Sequence, residues 1–230
     1  MGKLMFHGQS CVEIVAADGT RLLIDPFLTD NPQADVDRGH FHDRLDYLLL
    51  THGHYDHVAD AWPLLEETNP TLIASFEIVA YAQEVLGYDK THPMHIGGGY
   101  EFPFGRVKLT PALHGGQVAG KGAEGYTTVP AGLLIDLDGC GIYHAGDTAL
   151  ITDMALLEGQ VDVALLPIGD NFTMGPEDAA RAVDLIKPRV VIPIHFNTWP
   201  LIEQDPESFR ARVEPRAEVV VLEPGDTYEF

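Results

Sequence analysis

Basic residues are scarce in this sequence: 14 lysines and arginines stand against 35 aspartates and glutamates, which gives a formal net charge of −21. Nonspecific binding to nucleic acid or to an anionic membrane needs a basic surface that displaces counterions, so we expect neither partner. The chain also has no apolar run of membrane-spanning length. Its first seven residues hold no apolar segment long enough for a signal peptide, which predicts a cytoplasmic protein.

Cysteine is nearly absent, since Cys11 and Cys140 are the only two in the chain. Each lies in an apolar run, and buried reduced thiols suit a cytoplasmic protein better than the alternative of a disulfide. The hydrophobic fraction is 45% of 230 residues, enough for a buried core, and we expect one domain over residues 1–230. The sequence is compatible with a homo-oligomer.

The order of apolar runs and turns predicts a chain rich in strands. Helices are expected after the run at 46–50 through about Thr68, and at 78–86, 176–186 and 206–212. A long polar loop is expected at 29–43. We predict strands at 4–6, 11–15, 21–24, 46–50, 72–74, 94–96, 100–104, 107–111, 132–137, 141–144, 161–166, 190–194 and 219–222. Strands in both halves, with helices placed to cover outer faces, favour an α/β (α+β) fold: a four-layer αββα sandwich of two mixed sheets.

A histidine-rich segment directly follows the buried strand expected at 46–50. It places His52, His54, Asp56 and His57 within six residues, at a strand-to-helix junction. Two histidines that are two residues apart in extended chain point to the same side and can share one metal ion. Asp56 and His57 fall at the helix start and point elsewhere, which suits a second ion. Imidazole and carboxylate ligands suit zinc, manganese or iron.

One loop cannot fill two coordination spheres, so other strand ends must supply more ligands. His114 follows the strand at 107–111, Asp147 follows the strand at 141–144, and His195 ends the apolar run at 190–194. Taken singly, each is more often an ordinary loop residue than a ligand. Taken with the histidine-rich segment, their order along the chain favours the metal site.

This order of motifs resembles that of the metallo-β-lactamase superfamily. The chain is especially similar to a bacterial and archaeal group of metal-dependent hydrolases, and more distantly to ascorbate-6-phosphate lactonase. The segments that carry the resemblance are 23–27, 91–98, 143–148, 166–178 and 193–198, together with the histidine-rich segment. One departure is the sequence Gly8-Gln9-Ser10, where relatives commonly have histidine in the middle position.

The resemblance implies a role for each matching residue. His52, His54 and His114 would hold a first divalent ion, zinc before manganese or iron. A second ion would be held by Asp56, His57 and His195, and Asp147 would bridge the two ions. Asp25 would accept hydrogen bonds that fix the histidine-rich segment. From the residues alone, a turn carboxylate before Pro26 explains Asp25 equally well.

Two adjacent divalent ions can lower the pKa of a shared water and polarise a substrate oxygen, so we expect hydrolysis by a metal-bridging hydroxide. Asp56 would also act as the catalytic group that passes a proton to the leaving group. Three further residues are candidates for the substrate pocket: His144, Asn197 and Thr198. For His144 a packed strand end is the alternative, and for the other two it is helix capping.

The leading hypothesis is a hydrolase of a small cytoplasmic ester, lactone or phosphoester. A phosphodiesterase or nuclease on the same site is a second hypothesis, against which the acidic charge weighs. A di-iron redox protein is a third, and a metal-binding protein without catalysis is a fourth. His40 and His42, in the loop at 29–43, are expected at the surface.

Overall fold

The computed structural model describes residues 1–230. Its α-helices are α1 (Tyr55–Val58), α2 (Ala61–Thr68), α3 (Phe76–Glu84), α4 (Pro176–Ile186) and α5 (Pro206–Val213). Short 3₁₀ helices occur at Arg38–Phe41, Thr152–Leu157 and Pro200–Ile202. The strands are β1 (Lys3–Phe6), β2 (Val12–Val15), β3 (Arg21–Ile24), β4 (Tyr47–Leu49), β5 (Thr71–Ser75), β6 (Thr91–Met94), β7 (Gly99–Phe102), β8 (Gly105–Pro111), β9 (Ala131–Leu137), β10 (Cys140–His144), β11 (Val163–Pro167), β12 (Val190–Ile194), β13 (Glu218–Val219) and β14 (Thr227–Glu229).

The strands form two seven-stranded mixed sheets, in the orders β14-β1-β2-β3-β4-β5-β6 and β13-β12-β11-β10-β9-β8-β7. In the first sheet the ladders from β14 to β3 are antiparallel, and those from β3 to β6 are parallel. In the second sheet the ladders from β7 to β10 are antiparallel, and those from β10 to β13 are parallel. The two sheets therefore share one pattern of strand directions.

Apolar side chains from both sheets form the central core. A cluster of 26 buried residues joins Ile14 and Ile24 of the first sheet to Leu133 and Ile192 of the second. Because β10, β11 and β12 are buried along their whole length, their outer faces also need cover. Helices α4 and α5 supply it for the second sheet, and α2 and α3 cover the first. The predicted αββα sandwich is confirmed.

Helix α4 shows why the local sequence specifies these elements. Pro176 stands in its first turn, where its missing N–H is not needed, and Glu177 and Asp178 favour the positive end of the helix dipole. Lys187 ends the helix in the left-handed conformation. With 11 residues α4 is the longest helix, and none of the five is long and apolar enough to cross a bilayer.

Several details differ from the sequence-based expectation. The helix expected through Thr68 is interrupted between α1 and α2, because the Asp60 carboxylate accepts hydrogen bonds from the backbone N–H groups of Leu28 and Thr29. The loop at 29–43 contains the 3₁₀ helix Arg38–Phe41. The strand expected at 219–222 pairs only over Glu218–Val219, and the short polar β14 was not predicted at all.

Candidate metal centre

The strand directions bring separate parts of the chain to one edge of the molecule. The histidine-rich segment follows β4, Asp147 follows β10 and His195 follows β12. Strand β8 runs in the same direction as β10, because both are antiparallel to β9, so His114 also emerges at this edge. The carboxyl ends of parallel strands are where α/β sheets usually build their sites.

All seven residues predicted as metal ligands lie together at this edge. One group of donor atoms within 4.8 Å of one another comes from His52, His54, His114 and Asp147, and a second from Asp56, His57, Asp147 and His195. Asp147 is common to both groups: its Oδ1 lies 3.3 Å from His57 Nε2, and its Oδ2 lies 3.4 Å from His114 Nε2. The donors therefore form two adjacent groups that share one carboxylate, and the number of ions and the ligand roles stay predictions.

Several buried polar atoms of the site have no hydrogen-bond partner. They include Nε2 of His52, His57 and His195, and Oδ1 of Asp147. A buried polar atom without a partner costs about 1–3 kcal/mol, so several together at one point need an explanation. Lone pairs of imidazoles and a carboxylate that converge in this way fit divalent cations of the zinc class.

The charges within the site also balance in a way that fits cations. Burial alone lowers the pKa of His195, but Asp147 and Asp56 outweigh it and raise the pKa to about 9. Burial likewise opposes the shift at His57, whose pKa is nevertheless raised well above its usual value by Asp147, Asp56 and Asp25. Both shifts reflect the negative charge concentrated around these two rings, which a bound cation would neutralise.

Asp25 holds the histidine-rich segment in place through hydrogen bonds. Its fully buried carboxylate accepts hydrogen bonds from Thr51 N at 2.8 Å, Thr51 Oγ1 at 2.6 Å and His57 Nδ1 at 2.8 Å. The Thr51 hydroxyl, having donated to Asp25, accepts from His52 Nδ1 at 3.0 Å. Both rings are therefore held with Nδ1–H engaged and Nε2 turned into the site, the usual arrangement of a ligating histidine.

Gln9 is a residue whose place the sequence reasoning missed. Its side chain is fully buried, its Nε2 donates to Asp56 Oδ2 at 2.8 Å, and its Oε1 accepts from the Thr198 hydroxyl. Its backbone carbonyl accepts from His195 N at 2.7 Å. Gln9 thus contacts two of the seven residues.

The structure gives the three candidates for the substrate pocket hydrogen-bond partners within the protein, and their assignment stays a prediction. His144 is fully buried, its Nε2 donates to the Ser10 carbonyl at 3.0 Å, and its Nδ1 accepts from Gly146 N. Asn197 is exposed, but its Oδ1 accepts from Gln204 N and holds its own loop. Thr198 is buried and bonds to Gln9 instead of facing an opening.

A cavity of about 290 Å³ opens above the converging donors. Two of the residues that line it are aromatic, Phe172 and Trp199, and both lie in loops that follow parallel strands of the second sheet. No lysine or arginine lines it; the remaining lining residues are His54, Asp56, His114, Asp147 and His195. The signal that sequence reasoning overlooked is an aromatic residue in a loop at the carboxyl end of a strand.

Sequence comparisons find a family model and relatives that cover most of the chain. A family model described as "Beta-lactamase superfamily domain" matches residues 20–196. A protein of Enterococcus faecalis named "UPF0173 metal-dependent hydrolase" is 47% identical over 227 residues, which cover 98% of each chain.

Solved structures give the same result for the fold. Igni18, described as a novel metallo hydrolase from the archaeon Ignicoccus hospitalis, superposes with a TM-score of 0.88 at 34% identity, covering 100% of this chain and 99% of that one. The metallo-β-lactamase fold protein YhfI from Bacillus subtilis superposes with a TM-score of 0.76 at 14% identity, covering 99% and 98%. The predicted metallo-β-lactamase fold is confirmed.

Proposed function

Because the chain belongs to the beta-lactamase superfamily and, within it, to the UPF0173 metal-dependent hydrolases, we propose that it uses two divalent ions to hydrolyse a small cytoplasmic ester, lactone or phosphoester. The observation that carries this proposal is the convergence of seven donor residues, several of them with unpartnered buried atoms, of which five line an open cavity. A site made only for structure would not need the opening.

The two groups of donors define the proposed ligand sets. His52, His54 and His114 hold the first ion, and Asp147 contributes to both. The second ion is held by Asp56, His57 and His195. Zinc is the ion we propose, since imidazoles and carboxylates are its usual ligands when thiolates are absent, and Cys11 and Cys140 lie elsewhere in the core.

Divalent ions in such a site supply Lewis-acid chemistry: they lower the pKa of water and polarise a carbonyl or phosphoryl oxygen. The protein's own contribution to proton transfer is Asp56, whose carboxylate lines the cavity and is oriented by Gln9 Nε2. In ester hydrolysis the water oxygen bonds to the carbonyl carbon and the bond to the leaving oxygen breaks. Asp56 accepts the proton of the water and delivers it to that leaving oxygen.

The lining of the cavity favours an uncharged ester or lactone over a phosphoester. A phosphate dianion is usually recognised by lysine or arginine side chains, and the cavity has neither. Phe172 and Trp199 instead offer apolar walls for the body of the substrate. The volume of about 290 Å³ lies at the lower end of the range for small-molecule pockets.

The experiment is a metal analysis of the purified protein followed by assays on aryl esters, lactones, bis-aryl phosphates and RNA. We expect two zinc ions per chain, and turnover of an ester or lactone that chelation abolishes and zinc restores. The Asp56→Asn variant should lose activity, whereas Asp153→Asn, an exposed carboxylate outside the site, should keep it. RNA cleavage as the main activity, or bound iron with oxygen uptake, would contradict the proposal.

A further inference from the structure

A second group of imidazoles and carboxylates lies outside the metal centre and shares no residue with it. It joins His7, which directly follows β1, to Glu13 in β2 and His40 in the 3₁₀ helix Arg38–Phe41. We propose that these three side chains form a separate site for a single divalent ion of the zinc class. Such a site would fasten the segment at 29–43 to the first sheet.

The distances within this group match those expected around a metal ion. Glu13 Oε2 lies 3.3 Å from His7 Nε2 and 3.1 Å from His40 Nε2. Ligand atoms bound about 2.0–2.1 Å from a tetrahedral zinc ion lie roughly 3.3–3.4 Å from each other. The corresponding donor atoms of the main centre have the same spacing, for example 3.3 Å between His195 Nε2 and Asp56 Oδ2.

The surrounding hydrogen bonds turn two lone pairs towards one point. His7 Nδ1 donates to Asp35 Oδ1 at 2.8 Å, which leaves Nε2 of the neutral ring facing Glu13. The relation of His7 to Asp35 repeats that of a ligating histidine to the carboxylate that orients it. Arg21 Nε donates to Glu13 Oε1 at 2.5 Å and leaves Oε2 for the histidines. Both His7 and Glu13 are buried, so neither has water as a ready alternative.

Arg21 is also the competitor for this site. Its Nη2 lies 2.7 Å from His40 Nε2, and one lone pair cannot serve both a guanidinium and a metal ion. Binding of the ion would displace Nη2, while Nη1 keeps its contacts with the His40 and Arg44 carbonyls.

The site can be tested by counting ions in variants of the complete protein. The metal-depleted wild-type protein and the variants His40→Ala and His42→Ala are dialysed to equilibrium against micromolar zinc and analysed for bound metal. His40 has a side chain that is 34% exposed, so its removal should not unfold the chain. His42 is the matched control, because it lies on the same segment but contacts Glu67 instead.

We expect His40→Ala to bind one zinc ion fewer than the wild type, and His42→Ala to bind the same number. The difference between variants carries the test, so the result does not depend on how many ions the main centre holds. Equal zinc content in the wild type and His40→Ala would overturn the proposal and leave a proton-bridged ion network as the explanation of the group.

Discussion

Replacing Asp25 by asparagine should both destabilise the fold and weaken the binding of metal. The carboxylate accepts at Oδ1 from Thr51 N, and at Oδ2 from both the Thr51 hydroxyl and His57 Nδ1. An asparagine has one acceptor oxygen, so in either orientation its NH₂ group faces at least one buried donor. That donor loses its partner, at a cost of about 1–3 kcal/mol, and the other bonds lose their charge assistance, at about 1 kcal/mol each. We expect the metal-free protein to lose about 3–5 kcal/mol of stability.

The effect on the metal follows from the same contacts. Without Asp25 the His57 ring is free to rotate, and the Thr51 hydroxyl no longer has a fixed direction for its contact with His52 Nδ1. Loss of a group that orients a ligating histidine typically weakens metal affinity by about 10–100-fold. Zinc affinity is measured by competition with a chromogenic chelator, and stability by urea unfolding of the metal-free protein.

Asp60→Asn is the matched control, since Asp60 is equally buried and anchors the same part of the sheet edge. It accepts from Leu28 N at 2.7 Å and Thr29 N at 3.0 Å, and it contacts none of the seven ligand residues. Both variants should be destabilised, and only Asp25→Asn should lose zinc affinity. If Asp25→Asn binds zinc as the wild type does, or if Asp60→Asn loses as much affinity, the orienting role of Asp25 is refuted.

Four further outcomes follow from the site. Gln9→Leu removes the donor to Asp56 Oδ2 while keeping the side chain's size, so zinc affinity, measured by chelator competition, should fall about tenfold with no loss of the fold by circular dichroism. Zinc affinity should decrease as the pH falls below about 9, because the raised pKa of His195 means that binding must displace a proton; titration calorimetry in buffers of different ionisation enthalpy counts the protons released. The same proton stabilises the metal-free chain, and that stability should be lost as the pH rises from 6.5 to about 9, which thermal melting would show. Phe172→Ala should raise KM for an apolar ester about threefold to tenfold without changing Tm, whereas Leu156→Ala, another exposed apolar residue, should leave KM unchanged.

The convergence of the seven candidate ligands could be predicted from the sequence, because these residues follow strands that apolar runs make easy to recognise. The expected bounds of β12 and α4 coincide with those observed, and His195 follows directly after β12. Once the strands are placed, their directions bring His114 and Asp147 to the same edge, without any need to know side-chain conformations. Strand ends therefore carry most of the information about the site.

The surroundings of His144 were not predictable in the same way, because they depend on where side chains point. His144 precedes the Asp147 loop closely in sequence, but it lies at the end of a strand and its ring bonds to Ser10, far away along the chain. The break between α1 and α2 has a similar cause, since Asp60 bonds to residues about thirty positions earlier. The periodicity of apolar residues within a helix carries no information about such distant partners.

The shared arrangement of the two sheets has a consequence for how the protein is made. Neither half of the polypeptide owns a complete donor set: the N-terminal sheet contributes the residues from 52 to 57, and the C-terminal sheet contributes His114, Asp147 and His195. With the proposed ligand sets, a nascent chain on the ribosome can complete the first cation position only after Asp147 has emerged, and the second only after His195, its last histidine, has left the exit tunnel. Binding of the ions would then be a late step that links the two sheets. In a cell starved of metal, the sheets would pack against each other without this link.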